Sequence, residues 1–267
     1  MGTVRGYVVA AHAAPTVAVW TLMTVVAWRV GWQGLPLVLV SAAVLVGQLS
    51  VGWSNDAIDA PADLRAERRA KPTVAGAVTA RALWVGAASA LVVACALSWL
   101  AAGWVGGSFH VLALAMAWLY NLVMSRTAWS WLPYAVAFGA MPAFLYVGLD
   151  GSAPPAWSVV AFAIVATSAH LANAIPDIDS DRAAGLGGLA VRLGTRRATL
   201  LCWVLLAAGT LVLMSVTWSV RPVASVVLLV AFAAAVLWAT LRPDRVFAVL
   251  LVVVGIDVIA LVATPAW

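Results

Sequence analysis

Long apolar runs follow one another along almost the whole chain, separated only by short connectors rich in Gly, Pro, Arg and Asp. An α-helix needs about 20 apolar residues to cross the hydrocarbon core of a bilayer, and most of these runs reach that length. Few architectures remain open, because in lipid each backbone N–H and C=O must be satisfied inside a helix or a closed barrel. The composition agrees: 65% of the 267 residues are hydrophobic, 9% are charged, and the mean hydropathy is +1.04. A soluble domain carries roughly a quarter charged residues. The expected fold is all-α, a polytopic membrane bundle formed as a single domain over residues 1–267.

Nine spans can be marked, near 7–28, 35–53, 81–101, 107–123, 132–149, 157–172, 198–216, 223–241 and 246–263. The first run is long enough to span and has no clear cleavage site, so no cleavable signal is expected. With the N-terminus inside, thirteen basic residues fall on the inner side (Arg5, Arg65, Arg68, Arg69, Lys71, Arg81, Arg126, Arg182, Arg192, Arg196, Arg197, Arg242 and Arg245). Only Arg29 and Arg221 fall outside. The positive-inside rule then sets a cytoplasmic N-terminus. It also accounts for the net charge of +5 without a nucleic-acid partner. Cys95 and Cys202 lie within apolar runs and read as small buried hydrophobes.

Against this background the acids are conspicuous. Six of the ten lie in two nine-residue stretches, 55–63 and 173–181, and both read Asn-x-x-x-Asp-x-x-x-Asp. A spacing of four stacks side chains on one helix face, so Asn55, Asp59 and Asp63 can form a column, as can Asn173, Asp177 and Asp181. Pro61 and Pro176 stand against this, since each can break its helix. Asp56 and Asp179 lie off the columns. Carboxylates crowded in apolar surroundings require a cation, and Mg²⁺ commonly takes one or two carboxylates together with phosphate oxygens. The topology places both stretches on the cytoplasmic side. Together they read as two halves of one Mg²⁺–diphosphate clamp, related by a weak internal echo.

Basic residues succeed each stretch. Arg68, Lys71 and Arg182, closest to the acids, are suited to phosphate oxygens, although as positive-inside residues they need no further role. His170 precedes Asn173 by one short turn and reads first as a packed, hydrogen-bonded histidine, with deprotonation of an acceptor as its functional alternative. His12 and His110 are less promising. Asp257, an acid within the last span, is a functional suspect by position alone.

Asn55-Asp56-x-x-Asp59-x-x-x-Asp63 resembles the first signature of the UbiA family of intramembrane prenyltransferases, and Asp177-x-x-x-Asp181 resembles the second. Arg69-Ala70-Lys71-Pro72 with Gly76, Tyr120-Asn121 with Arg126, and the run from Asp181 to Gly194 are similar to the family as well. The resemblance implies a UbiA-like fold and Mg²⁺-dependent transfer of a prenyl group from an isoprenyl diphosphate to a small acceptor, often aromatic, at the cell membrane. It implies Asp56, Asp59, Asp63, Asp177 and Asp181 as metal ligands. Asn55, Arg68, Lys71, Asn173 and Arg182 would stand on the diphosphate side, and Tyr120 and Arg126 are the candidate catalytic residues. One position departs from the family: Ser125 stands where members commonly carry lysine. A membrane terpene cyclase would use the same ionisation, and a cation transporter would use the acids without diphosphate chemistry.

Overall fold

The computed structural model describes residues 2–218, 222–241, 248–250 and 252–256. The described chain is helical: α1 (Thr3–Ala10), α2 (Ala13–Val30), α3 (Gly34–Arg65), α4 (Ala80–Leu122), α5 (Leu132–Asp150), α6 (Ala156–Ala174), α7 (Ile178–Ala183), α8 (Leu189–Thr217) and α9 (Pro222–Leu241). Short 3₁₀ turns lie at Met124–Arg126 and Ile175–Asp177. Among the described residues six stretches are long and apolar enough to cross a membrane: Ala13–Val30, Gly34–Arg65, Ala80–Leu122, Leu132–Asp150, Ala156–Ala183 and Leu189–Val216. Most of the ninth expected span, with Asp257, lies outside the described residues.

The first expected span is interrupted at His12, whose backbone is left-handed (φ 50°, ψ 63°), so that α1 and α2 are separate helices. The third and fourth expected spans are the two arms of α4, which breaks at Gly103 (φ 65°, ψ 178°), a conformation closed to residues with a Cβ. Ser98 and His110 are hydrogen-bonded at 2.7 Å across that break. Twelve residues of straight helix would hold them about 18 Å apart, so the chain folds back there. The seventh expected span begins earlier than Ala198, with α8 starting at Leu189 and breaking at Gly194.

The chain clusters into two compact units, residues 1–122 with 144–151, and residues 123–143 with 152–267. In the first, both arms of α4 lie on α3. Ser50 Oγ donates to Ala87 O on one arm (2.8 Å) and accepts from Trp118 Nε1 on the other (3.1 Å). Asn121 Nδ2 donates to Val51 O (3.0 Å) and Ser54 Oγ (2.9 Å). Lipid supplies no hydrophobic drive between helices, so such polar links and close small-residue contacts hold them together. Gly148 is one such contact, where a Cβ would sit 2.5 Å from Ala102 Cβ.

In the second unit, Leu171, Ala172, Ile175 and Ile178 pack with Ala190, Ala198, Cys202 and Leu206 of α8 and with Val249, Leu250 and Val253. Ser168 Oγ donates to Cys202 O at 2.8 Å, tying α6 to α8.

Candidate active site

The first acidic stretch is the cytoplasm-facing end expected of the second span, and it stays helical. α3 runs through Pro61 to Arg65, and Pro61 lies on the exposed side. Asp56 and Asp63, two turns apart on one helix face, are each only 1% exposed, and Asp59 between them is half-buried. Asp56, expected off the column, is thus one of its two most buried acids. A separation of seven residues brings a side chain back to the same face as closely as one of four does.

Two turns immediately after α3 bring cations back to these acids and make their burial tolerable. Ala66 ends the helix and Glu67 takes a left-handed backbone (φ 49°), turning the chain back on itself. Arg68 N–H then donates to Asp63 O (3.0 Å), and its Nη1 donates to Asp63 Oδ1 at 3.2 Å. A further turn, Lys71 N–H to Arg68 O (2.9 Å), brings Lys71 Nζ to Asp56 Oδ1 at 2.6 Å. His12 Nε2 meets that same oxygen at 3.0 Å. Asp63 Oδ2 is buried and makes no hydrogen bond among the described residues. Asn55 Nδ2 donates to Asn121 Oδ1 at 3.4 Å. Tyr120, adjacent to Asn121 in the chain, is half-buried.

The second stretch is built differently. α6 ends at Ala174, Pro176 lies in a 3₁₀ turn, and α7 begins at Ile178. Proline lacks the N–H that a continuing α-helix would use, and the α-helix carrying Asn173 is interrupted by the 3₁₀ turn before Asp181 is reached. Ile175 and Ile178 are buried in the core, while Asn173, Asp177 and Asp179 are exposed and Asp181 is half-buried. Arg182 Nη1 donates to Asp179 Oδ1 (3.2 Å) and its Nη2 to Val191 O (3.2 Å). Arg126 ends the 3₁₀ turn after α4 and is exposed.

His170 is packed, as its first reading has it. Its Nε2 is 3.0 Å from Ser130 Oγ and its ring lies 4.9 Å from that of Tyr134. Ser130 Oγ also accepts from Leu189 N–H (3.0 Å), so it ties three segments of the second unit together. The sequence does not single out Ser130, and His12, ranked there among the less promising histidines, stands at the site. His12 carried one legible signal, a polar residue interrupting the first apolar run.

No three His, Cys, Asp or Glu groups converge among the described residues. The donor set still fits Mg²⁺, which usually takes one or two carboxylates and completes its shell with water and substrate phosphate. Asp63 supplies a buried carboxylate oxygen with no hydrogen bond among the described residues, and Asp56 one already met by the Lys71 ammonium and by His12 Nε2.

The model of the UbiA prenyltransferase family matches residues 12–256. A lycopene elongase/hydratase from Halobacterium salinarum is 42% identical over 66 residues, which cover 24% of this chain and 24% of that relative's length. The apo structure of a UbiA homologue from Aeropyrum pernix K1 superposes with a TM-score of 0.74 at 21% identity, covering 92% of this chain and 96% of that one. A UbiA homologue from Archaeoglobus fulgidus, solved with GPP and Mg²⁺, superposes with a TM-score of 0.72 at 17% identity, covering 96% and 97%. These two share the fold of this chain. The extent of the family match settles the assignment: the chain belongs to the UbiA prenyltransferase family.

Proposed function

We propose that this protein transfers a prenyl group from an isoprenyl diphosphate to a small acceptor, with Mg²⁺, at the cytoplasmic face of the cell membrane. The proposed topology has nine spans and an N-terminus in the cytoplasm. The observation that carries the reading is the pair of buried carboxylates at the end of α3, Asp56 and Asp63, each met by a cation from the turns after that helix. The Archaeoglobus fulgidus homologue binds GPP and Mg²⁺, in keeping with a diphosphate substrate here.

In this reading Asp56, Asp59 and Asp63 are metal ligands, with Asp177 and Asp181 as further ligands from the second stretch. When bound, Mg²⁺ neutralises the charge that builds on the leaving diphosphate. Lys71 and Arg68 move from carboxylate to phosphate oxygens, which are better matched to their charge once the acids are occupied. Asn55, Asn173 and Arg182 add contacts to the diphosphate, and Arg126 is a phosphate-side candidate. The apolar surroundings keep water from the allylic cation until the acceptor attacks. The face of Tyr120 stabilises that cation.

An aromatic acceptor is the first proposal for the nucleophile. The partial match to a lycopene elongase/hydratase supports a second, a polyene whose C=C attacks the prenyl carbon. The test is purified protein with Mg²⁺, prenyl diphosphates of several lengths, and phenols or polyenes, with products read by mass spectrometry. Prenylated acceptor with released diphosphate is expected. A product holding only prenyl carbons would make the protein a cyclase, and no diphosphate release with any donor would refute the reading.

A further inference from the structure

Of the two groups that meet Asp56 among the described residues, only Lys71 belongs to the basic tail. His12 comes from 44 positions upstream, in the gap between α1 and α2. Its backbone is left-handed, a conformation that residues with a Cβ seldom adopt. The surroundings hold it there. His12 N–H donates to Val9 O (3.1 Å), and Thr16 Oγ1 donates to Ala11 O (2.6 Å). α3 presses against the gap at Gly52, where a Cβ would lie 2.9 Å from Ala11 O. Gly52 is one helical turn before Asp56, so the residue that admits the gap and the residue His12 meets share a face of α3.

A carboxylate can only accept, so imidazole Nε2–H is the donor to Asp56 Oδ1. Lys71 shares that oxygen at 2.6 Å and is the group proposed to turn toward diphosphate. A carboxylate that loses its ammonium partner keeps its orientation only if a second donor remains. We propose that His12 is a positioning residue for metal binding, holding Asp56 Oδ1 through Nε2–H when Lys71 leaves. This inference rests on the reading of Asp56 as a Mg²⁺ ligand. Partners of this kind orient a ligating group without touching the metal, and their removal typically weakens metal binding by about 10- to 100-fold.

The experiment uses the full-length protein in lipid nanodiscs, with Mn²⁺ as the probe and inorganic pyrophosphate present, and reads binding by electron paramagnetic resonance. His12→Asn suits the left-handed backbone but is too short to reach Asp56. His12→Gln restores an N–H donor at the reach of Nε2. His12→Asn is expected to weaken Mn²⁺ binding about 10- to 100-fold, and His12→Gln to recover most of the loss. Asp56→Asn separates the two levels of the argument. If it binds Mn²⁺ as the wild type does, the ligand reading of Asp56 falls. If it loses binding while His12→Asn does not, the role of His12 alone falls. Equal losses in His12→Asn and His12→Gln also overturn the proposal, because the donor would then be irrelevant.

Discussion

Replacing Lys71 by methionine, which keeps most of the stem and removes the ammonium, should affect the two ligands in opposite directions. Lys71 Nζ sits 2.6 Å from Asp56 Oδ1, with the lysine side chain 25% exposed and the aspartate 2%. At that burial the pair is not a screened surface contact of negligible worth. A hydrogen bond to a charged group contributes about 1.5–3 kcal/mol, and Mg²⁺ approaching Asp56 must displace it. Each 1.4 kcal/mol is a factor of about ten in affinity. Lys71→Met should therefore bind Mg²⁺ or Mn²⁺ alone about 10- to 100-fold more tightly than the wild type. It should bind pyrophosphate more weakly, having lost the ammonium that would meet it. Calorimetric titration of the full-length protein with metal alone, then with pyrophosphate at saturating metal, measures both. Unchanged or weaker metal binding in Lys71→Met would refute the argument that lysine and metal compete for Asp56.

Asp59→Asn and Asp177→Asn should each lower diphosphate release by at least about a hundredfold while size-exclusion profiles stay unchanged, and EDTA should abolish release in the wild type. Asn121→Ala removes the donors to Val51 O and Ser54 Oγ and should cost about 1–3 kcal/mol, read as a lower unfolding temperature in detergent. Gly148→Val drives a side chain into Ala102 and toward Trp32. It should destabilise the protein by about 1–3 kcal/mol, seen as reduced yield of folded protein with residual activity per folded molecule retained.

The helices were legible where the signal is local and strong. The turn-back at Gly103 was expected as a boundary between two spans, because a glycine-containing break in an apolar run is visible residue by residue. The interruption at His12 was not, since one histidine does not outweigh twenty apolar neighbours in a hydropathy reading. The two prolines illustrate the limit well. Pro61 and Pro176 both stand inside matching motifs, at the seventh and the fourth position, and α3 continues through the first while α6 ends before the second. At the second, Ile175 and Ile178 are drawn into the core beside α8, and no local rule contains that packing.

The sequence by itself determined that this chain is a membrane helical bundle, because unsatisfied backbone and scattered charge are too costly in lipid for any other use of such runs. It also set six of the ten acids apart, because they fall in two stretches of matching spacing in a chain that otherwise carries few carboxylates. Tertiary structure alone decided what those acids touch. Turns at Glu67 and Arg68 return Arg68 to Asp63 and Lys71 to Asp56, and a left-handed residue between two helices brings His12 to the same carboxylate as Lys71. These contacts span 5, 15 and 44 positions. They depend on the path of the backbone through turns and on the close seat at Gly52, which residue spacing does not encode.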